Sequence, residues 1–360
     1  MANRCVEMTW YVRLWKFITL AHGSGGKETE ELVKNLIVQN VPPELWRVKG
    51  GTGLDILDDA ALIPTGENRY IAVTVDTYTV KPVFFPGGDL GKLAASGTIN
   101  DLLMVGAKPL AVLDGVVVEE GFPIEDFKKI MGSFIRTLAE EKVALVGGDF
   151  KVMPKGQLDG IVIASMGIGI VEGKPIVDTE IRPGDKIIVS GYLGDHGAAI
   201  LAAQQSLGVD LGVESDVKPL TRLMLPLLEK YRDSIHGAGD PTRGGLAMLL
   251  NNWAEKTKTV IVIDEVKTPI RPQVREYAEM LGVDPFSLAS EGAAVLAVEP
   301  SKAEEITEYM HSLGFKEAAI IGEVYEPRDP RHAGRVLLKS VAGGVRILEP
   351  PSGEIVPRIC

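Results

Sequence analysis

Short apolar runs, glycine turns and helix-period segments follow one another through most of this chain, and they do so twice. Ile71–Val75, Leu110–Val118, Val143–Val146 and Ile161–Ile170 read as strands. Lys27–Val38, Asp89–Val105 and Ile124–Glu140 read as helices, the last with Phe127, Ile130, Met131, Phe134 and Leu138 on one face. Arg182-Pro183-Gly184-Asp185 is then a turn, and the strand Lys186–Ser190 opens a second round. Gly191–Gly197 leads into the helix Ala198–Leu207, and Gly237–Gly245 into Leu246–Lys256. Strands and helices in alternation call for layered α+β (α/β) domains. A chain of 360 residues is long enough for two of them. The boundary falls between Gly173 and Asp185. The expected division is an extension over 1–17, a first domain over 18–175, a second over 176–340 and a mobile tail over 341–360. The tail carries Cys360 and is broken by Pro350, Pro351 and Pro357.

Charge and cysteine usage exclude several classes. Forty-nine acidic against 38 basic residues leave a net charge of -11, which repels a phosphate backbone and speaks against nucleic-acid binding. Two cysteines, Cys5 and Cys360, make no disulfide framework or four-cysteine zinc site, and they suit a reducing cytoplasm. Met8–Ala21 is apolar but broken by Arg13 and Lys16, too short to span a bilayer and without a signal-peptide core. It reads as a ragged start plus a first strand, with Met8 a possible initiator.

The nucleotide motifs fail and carboxylates remain. Ala21–Glu28 approaches a P-loop but has Ala21 where the first glycine belongs and Glu28 where the hydroxyl belongs. Aspartates instead stand at strand ends and glycine turns: Asp58-Asp59, Asp76, Asn100-Asp101, Gly147-Gly148-Asp149 and Asp240-Pro241-Thr242-Arg243-Gly244-Gly245. Hard oxygen ligands beside glycine turns suit Mg²⁺ and phosphate. Each alone has a plainer reading, and for Asp89 and Asp240 that reading is a helix N-cap. His196 is either catalytic or a structural residue at a helix start. Lys151 either neutralises charge or is solvated, and Glu291 is either a buried base or a loop charge.

In order, these segments resemble the superfamily of aminoimidazole ribonucleotide synthetase and selenophosphate synthetase. His22–Gly26, Gly194-Asp195-His196-Gly197 and the terminal Pro357-Arg358-Ile359-Cys360 resemble its HypE family of carbamoyl dehydratases, from about Ile18 to Cys360. The resemblance implies ATP bound between the two domains and a homodimer whose N-terminal domains share a β-barrel. It implies that a HypF-like carbamoyltransferase loads Cys360 and that ATP drives dehydration of the carbamoyl group to a thiocyanate. A HypC–HypD-like, iron-carrying scaffold would then take cyanide for [NiFe]-hydrogenase. The roles expected are Asp59, Asp76, Asp101 and Asp240 for Mg²⁺; Asn100, Gly147, Gly148, Asp149, Thr242, Arg243 and Gly244 for the nucleotide; and Cys360, Glu291, Lys151 and Asp76 for the chemistry. A selenophosphate synthetase would need a reactive cysteine in the first glycine loop, and this loop has none. A non-catalytic thiol-carrying scaffold is the other alternative.

Overall fold

The computed structural model describes residues 15–205, 212–353 and 359–360. The first half is a five-stranded sheet made of β1 (Ala61–Gly66), β2 (Arg69–Tyr78), β5 (Lys108–Glu119), β6 (Ala144–Met153) and β7 (Ile161–Glu172). The strand order is β1-β2-β7-β5-β6, antiparallel except where β5 runs beside β6. Ahead of this sheet comes the short helix α1 (Lys27–Leu32), and a small ribbon, β3 (Phe84–Phe85) with β4 (Gly88–Asp89), leads into α2 (Leu90–Met104). Asp89 caps α2, its carboxylate accepting from Gly91 N at 2.8 Å and Lys92 N at 3.1 Å, so here the N-cap reading holds.

α2 is buried all round except at Lys92, which explains its uniformly small and apolar sequence. Glycine makes this possible: a Cβ on Gly91 would stand 1.9 Å from the Ile130 carbonyl oxygen of α3 (Ile124–Glu140), and one on Gly97 2.3 Å from the Tyr78 hydroxyl. α2 and α3 together cover one face of the sheet. The other face is bare, with Val75, Leu110 and Met166 exposed, and the edge strand β6 exposes Leu145, Val146, Phe150 and Val152.

The second half is a seven-stranded sheet: β8 (Lys186–Val189), β9 (Ile235–Gly239), β10 (Val260–Asp264), β11 (Val295–Val298), β12 (Ala319–Tyr325), β13 (Arg335–Lys339) and β14 (Val345–Ile347). Their order is β14-β13-β10-β12-β8-β11-β9, with only β10–β13 parallel. It carries α4 (Asp195–Gln205), α5 (Thr221–Tyr231), α6 (Gly245–Thr257), α7 (Pro272–Leu281) and α8 (Ala303–Ser312). α2 also touches α5 and β9, and one hydrophobic core runs through both halves.

Two sequence expectations are corrected here. Leu20–Gly23 forms a 3-10 turn rather than a first strand, because the His22 ring folds back to accept from Thr19 N at 3.1 Å. The extension itself lies almost wholly outside the described residues. Past Lys339 the chain is not patternless: Val345–Ile347 pairs with β13, and the Leu348 carbonyl accepts from Asn251 at 2.9 Å. Pro351 O and Gly353 N are bound by Lys27 N and Glu28. Those contacts hold the described part of the expected mobile tail against the first glycine loop.

Candidate active site

Five carboxylates from separate elements converge between the two halves. Asp76 lies near the end of β2, Asp59 precedes β1, Asp101 lies on α2, Asp240 follows β9 and Glu291 precedes β11. Asp101, Asp240 and Glu291 are buried. Burial raises the proton affinity of all five, and mutual repulsion adds to it for all but Asp76, where Arg243 pulls the other way. Asp240 is pushed up to about 7. Asp58, behind Asp59, is also pushed up to about 7, by burial and then the charge of Asp178. Asp240 is not an N-cap: Gly244, at φ +82°, caps α6, and Asp240 Oδ2 is buried without a partner.

Such carboxyls stay protonated in the folded chain at pH values where the unfolded chain has already ionised them. Their contribution to stability is therefore present at low pH and lost as pH rises through about 7. The ligand-free chain should melt several degrees lower at about pH 8 than at about pH 5.5, and Asp240→Asn should shrink that gap. A melting temperature that climbs across this interval would refute the assignment.

The C-terminus enters the same space. Cys360 is part-buried, and burial pushes its thiol well up, while Arg243 beside it opposes the shift and Glu291 and Asp76 add to it. The thiol is thus neutral while it sits there. Arg243 Nη2 lies 4.0 Å from Asp76 Oδ1, and an ionised Cys360 sulfur, then Asp76 and Glu291, would raise the proton affinity of Arg243 further. Arg243 reaches this place because Gly25 leaves room: a Cβ there would be 2.1 Å from the Arg243 Cβ. Arg243 also lines, with Thr242, a cavity of about 630 Å³ walled by Gly25, Gly26, Trp46 and Met248 and fringed by Lys34, Lys256 and Lys258. That volume and mixed lining suit a nucleotide-sized ligand.

Other expected residues lie elsewhere or have other duties. Asn100 is consumed as a strut between the halves. Its Oδ1 accepts from Leu220 N at 2.8 Å, and its Nδ2 donates to Lys218 O at 3.2 Å and faces Glu291 O at 3.5 Å. Both amide hydrogens are thus engaged, and only one lone pair of Oδ1 is left over. Gly147 and Gly148 form no turn, since both lie within β6. Gly148 is small because a Cβ would meet Asp114 Oδ1 at 1.8 Å. Asp76, Ser165, Asp114 and Gly148 stand in one row across four strands. At the usual strand spacing β6 is therefore about 14 Å from Asp76. Asp149 and Lys151 are exposed there and paired with each other at 3.0 Å. Within one chain they do not join the cluster.

Two residues that matter carried no motif. Thr74 Oγ1 donates to Asp101 Oδ2 at 2.7 Å and fixes its rotamer. Asp216 accepts from the amides of Glu291 at 3.0 Å and Gly292 at 3.1 Å. Gly292 permits that approach, as a Cβ would lie 1.9 Å from Asp216 O. Among the described residues no three acidic, histidine or cysteine groups form a ready-made metal cage. The donor set nonetheless fits Mg²⁺, which takes one or two carboxylates and completes its shell with water and phosphate oxygens. The unpartnered buried Asp240 Oδ2 and Glu291 Oε1 are oxygens still lacking a cation or proton donor.

The models of the AIR synthase related protein family match residues 57–171 with the N-terminal domain and 182–334 with the C-terminal domain. A putative hydrogenase expression/formation protein of Methanocaldococcus jannaschii is 45% identical over 95% of this chain and 99% of its own length. Carbamoyl dehydratase HypE of Cupriavidus necator is 39% identical over 95% of each chain. Among solved structures, a HypE–HypF complex superposes with a TM-score of 0.80 at 38% identity, covering 89% of this chain and 99% of that one. A HypE bound to ATP gives 0.77 at 35% identity, over 96% and 100%.

Proposed function

The chain belongs to the HypE carbamoyl dehydratases of the AIR synthase related family, and from that premise we propose how its residues carry out the ATP-dependent dehydration that matures hydrogenase. The observation that carries the reading is the Cys360 thiol lying among Arg243, Asp76 and Glu291 between the two domains. A carbamoyl group on that sulfur has a poor leaving group in its oxygen. The amide oxygen takes the γ-phosphoryl of ATP and departs as phosphate. Loss of both N–H protons then leaves S–C≡N, with ADP as the second product.

Glu291, whose proton affinity is raised by burial, is placed to accept a proton from the nitrogen in its ionised form. Arg243 steadies negative charge growing at the oxygen. Thr242, Gly244 and the first glycine loop frame the nucleotide cavity. Asp59, Asp76, Asp101 and Asp240 would hold Mg²⁺, which neutralises phosphate charge when bound. Mixing the protein with ATP, carbamoyl phosphate and a HypF-like loading enzyme should first add a carbamoyl mass to the tail and then remove the mass of one water. Tail peptides that keep the carbamoyl mass in the presence of ATP would overturn the reading.

We further read the chain as a cytoplasmic homodimer. No helix among the described residues is long and apolar enough to cross a membrane. The bare face at Val75, Leu110 and Met166 and the open edge at Val146 and Val152 support pairing with a second copy, whose strands would close a barrel. Lys151, and the Gly147–Asp149 segment beside it, then face the partner rather than their own cluster. Val75→Glu should turn the dimer into a monomer at micromolar concentration in sedimentation, and an unchanged dimer would place the interface elsewhere. A HypC–HypD-like, iron-carrying acceptor of the nitrile completes the proposal.

A further inference from the structure

His196 is fully buried at the start of α4, and both of its ring nitrogens are engaged. Nε2 stands 2.9 Å from the Ile359 carbonyl oxygen, and Nδ1 stands 2.7 Å from Ser215 Oγ. A carbonyl only accepts, so Nε2 carries the proton and donates. Nδ1 then accepts from the Ser215 hydroxyl, whose oxygen in turn accepts from Val217 N at 3.1 Å. This chain of donors has one direction and fixes one tautomer. Burial lowers the ring's own proton affinity to about 4, so the neutral form that the chain requires persists at ordinary pH.

The same first turn of α4 is bound to the segment that carries Glu291. Gly194 N donates to Ser290 Oγ at 2.8 Å and Gly197 N to Ala289 O at 2.9 Å. A Cβ on Gly197 would be 2.8 Å from Ala289 N, so glycine is what lets the two segments touch. From the other half of the molecule, Thr79 Oγ1 donates to the terminal oxygen of Cys360 at 3.3 Å. Ile359 is buried in the core beneath. One rigid element therefore grips the chain one residue before the thiol and, on its other side, the loop one residue before the base.

We propose that His196 is a positioning residue that sets the register of the C-terminal chain, holding the Ile359 carbonyl so that the Cys360 sulfur lies at Glu291 and not one residue to either side. The proposal rests on Cys360 being the group carrier, but its first readout does not. In the full-length protein the Cys360 thiol is part-buried, and its alkylation by iodoacetamide, followed on the C-terminal peptide to separate it from Cys5, rises as the tail leaves more often. His196→Asn cannot reach Ile359 and should raise that rate about tenfold, the effect of one net hydrogen bond. It should slow nitrile formation from preloaded Cys360 by a similar factor without changing the ATP KM. His196→Gln, whose amide nitrogen can take the place of Nε2, should stay near the parent in both.

Ser215→Ala removes the hydroxyl that pairs with Nδ1 and anchors the ring, leaves the imidazole in place and should move the same way as His196→Asn. It supplies the answer if the asparagine variant does not fold. Alkylation and nitrile rates at parental values in folded His196→Asn and Ser215→Ala would overturn the proposal. So would a glutamine variant that folds and is as impaired as the asparagine one. A parent protein that forms no nitrile, yet shows His196-dependent shielding, would remove the carrier reading and leave the register role standing.

Discussion

Cys360→Ala should leave a folded chain that binds ATP and forms no nitrile at any enzyme concentration. Loss should be total, because a methyl group cannot accept a carbamoyl group. The fold should survive, since only part of the side chain packs against the core and the backbone contacts of Ile359 and Cys360 do not involve the sulfur. Intact mass after incubation with ATP, carbamoyl phosphate and the loading enzyme checks it. Carbamoylation of the alanine variant at another site, followed by dehydration there, would sink the carrier assignment. A companion variant with residues added after Cys360 should load normally but dehydrate poorly. Its extra carbonyl and side chains must occupy the space where the terminal oxygen now meets Thr79.

The second large effect belongs to Glu291. Glutamine keeps the volume and removes the base, so Glu291→Gln should slow nitrile formation by about 10²–10⁴-fold while nucleotide affinity stays near the parental value. Glu291 has neighbours that make the split measurable. Asp216 holds its backbone and Asn100 the adjoining strut, so the loop should keep its place when the carboxylate goes. Stopped-quench assay of preloaded protein separates this step from loading. Full turnover in the variant would return Glu291 to a buried loop carboxyl.

Much of the fold was legible because local pattern and final packing agree. The helix Ile124–Glu140 has the bounds read from its apolar stripe, and Ile130, Phe134 and Leu138 on that stripe are buried. The reading failed where pairing across the sheet decides. Gly147-Gly148 has the composition of a turn, yet it is a strand interior, where the Asp114 side chain on the neighbouring strand demands glycine at Gly148. Asn100 and Asp101 were read together from adjacency, but consecutive helix residues point about 100° apart. One ties the second domain and the other joins the cluster. Val345–Ile347 has too few residues to show a period, and it is a strand only because β13 lies beside it. The carboxylate cluster itself was readable as a list of candidates. No spacing in the chain says that Asp59 and Asp240, one from each half, come within repelling distance.

Strand β14 ties the chain down at Ile347, and the sulfur of Cys360, the proposed carrier, lies a short span beyond it. A substrate fixed to its own catalyst by so short a leash is present at millimolar effective concentration whatever the amount of protein in the cell. Dilution then cannot starve the dehydration step, and no free competitor can saturate it. On the proposed reading each chain would process its single cargo once per visit of its own end, so flux would be governed by how often that end is surrendered to the proposed loader and acceptor.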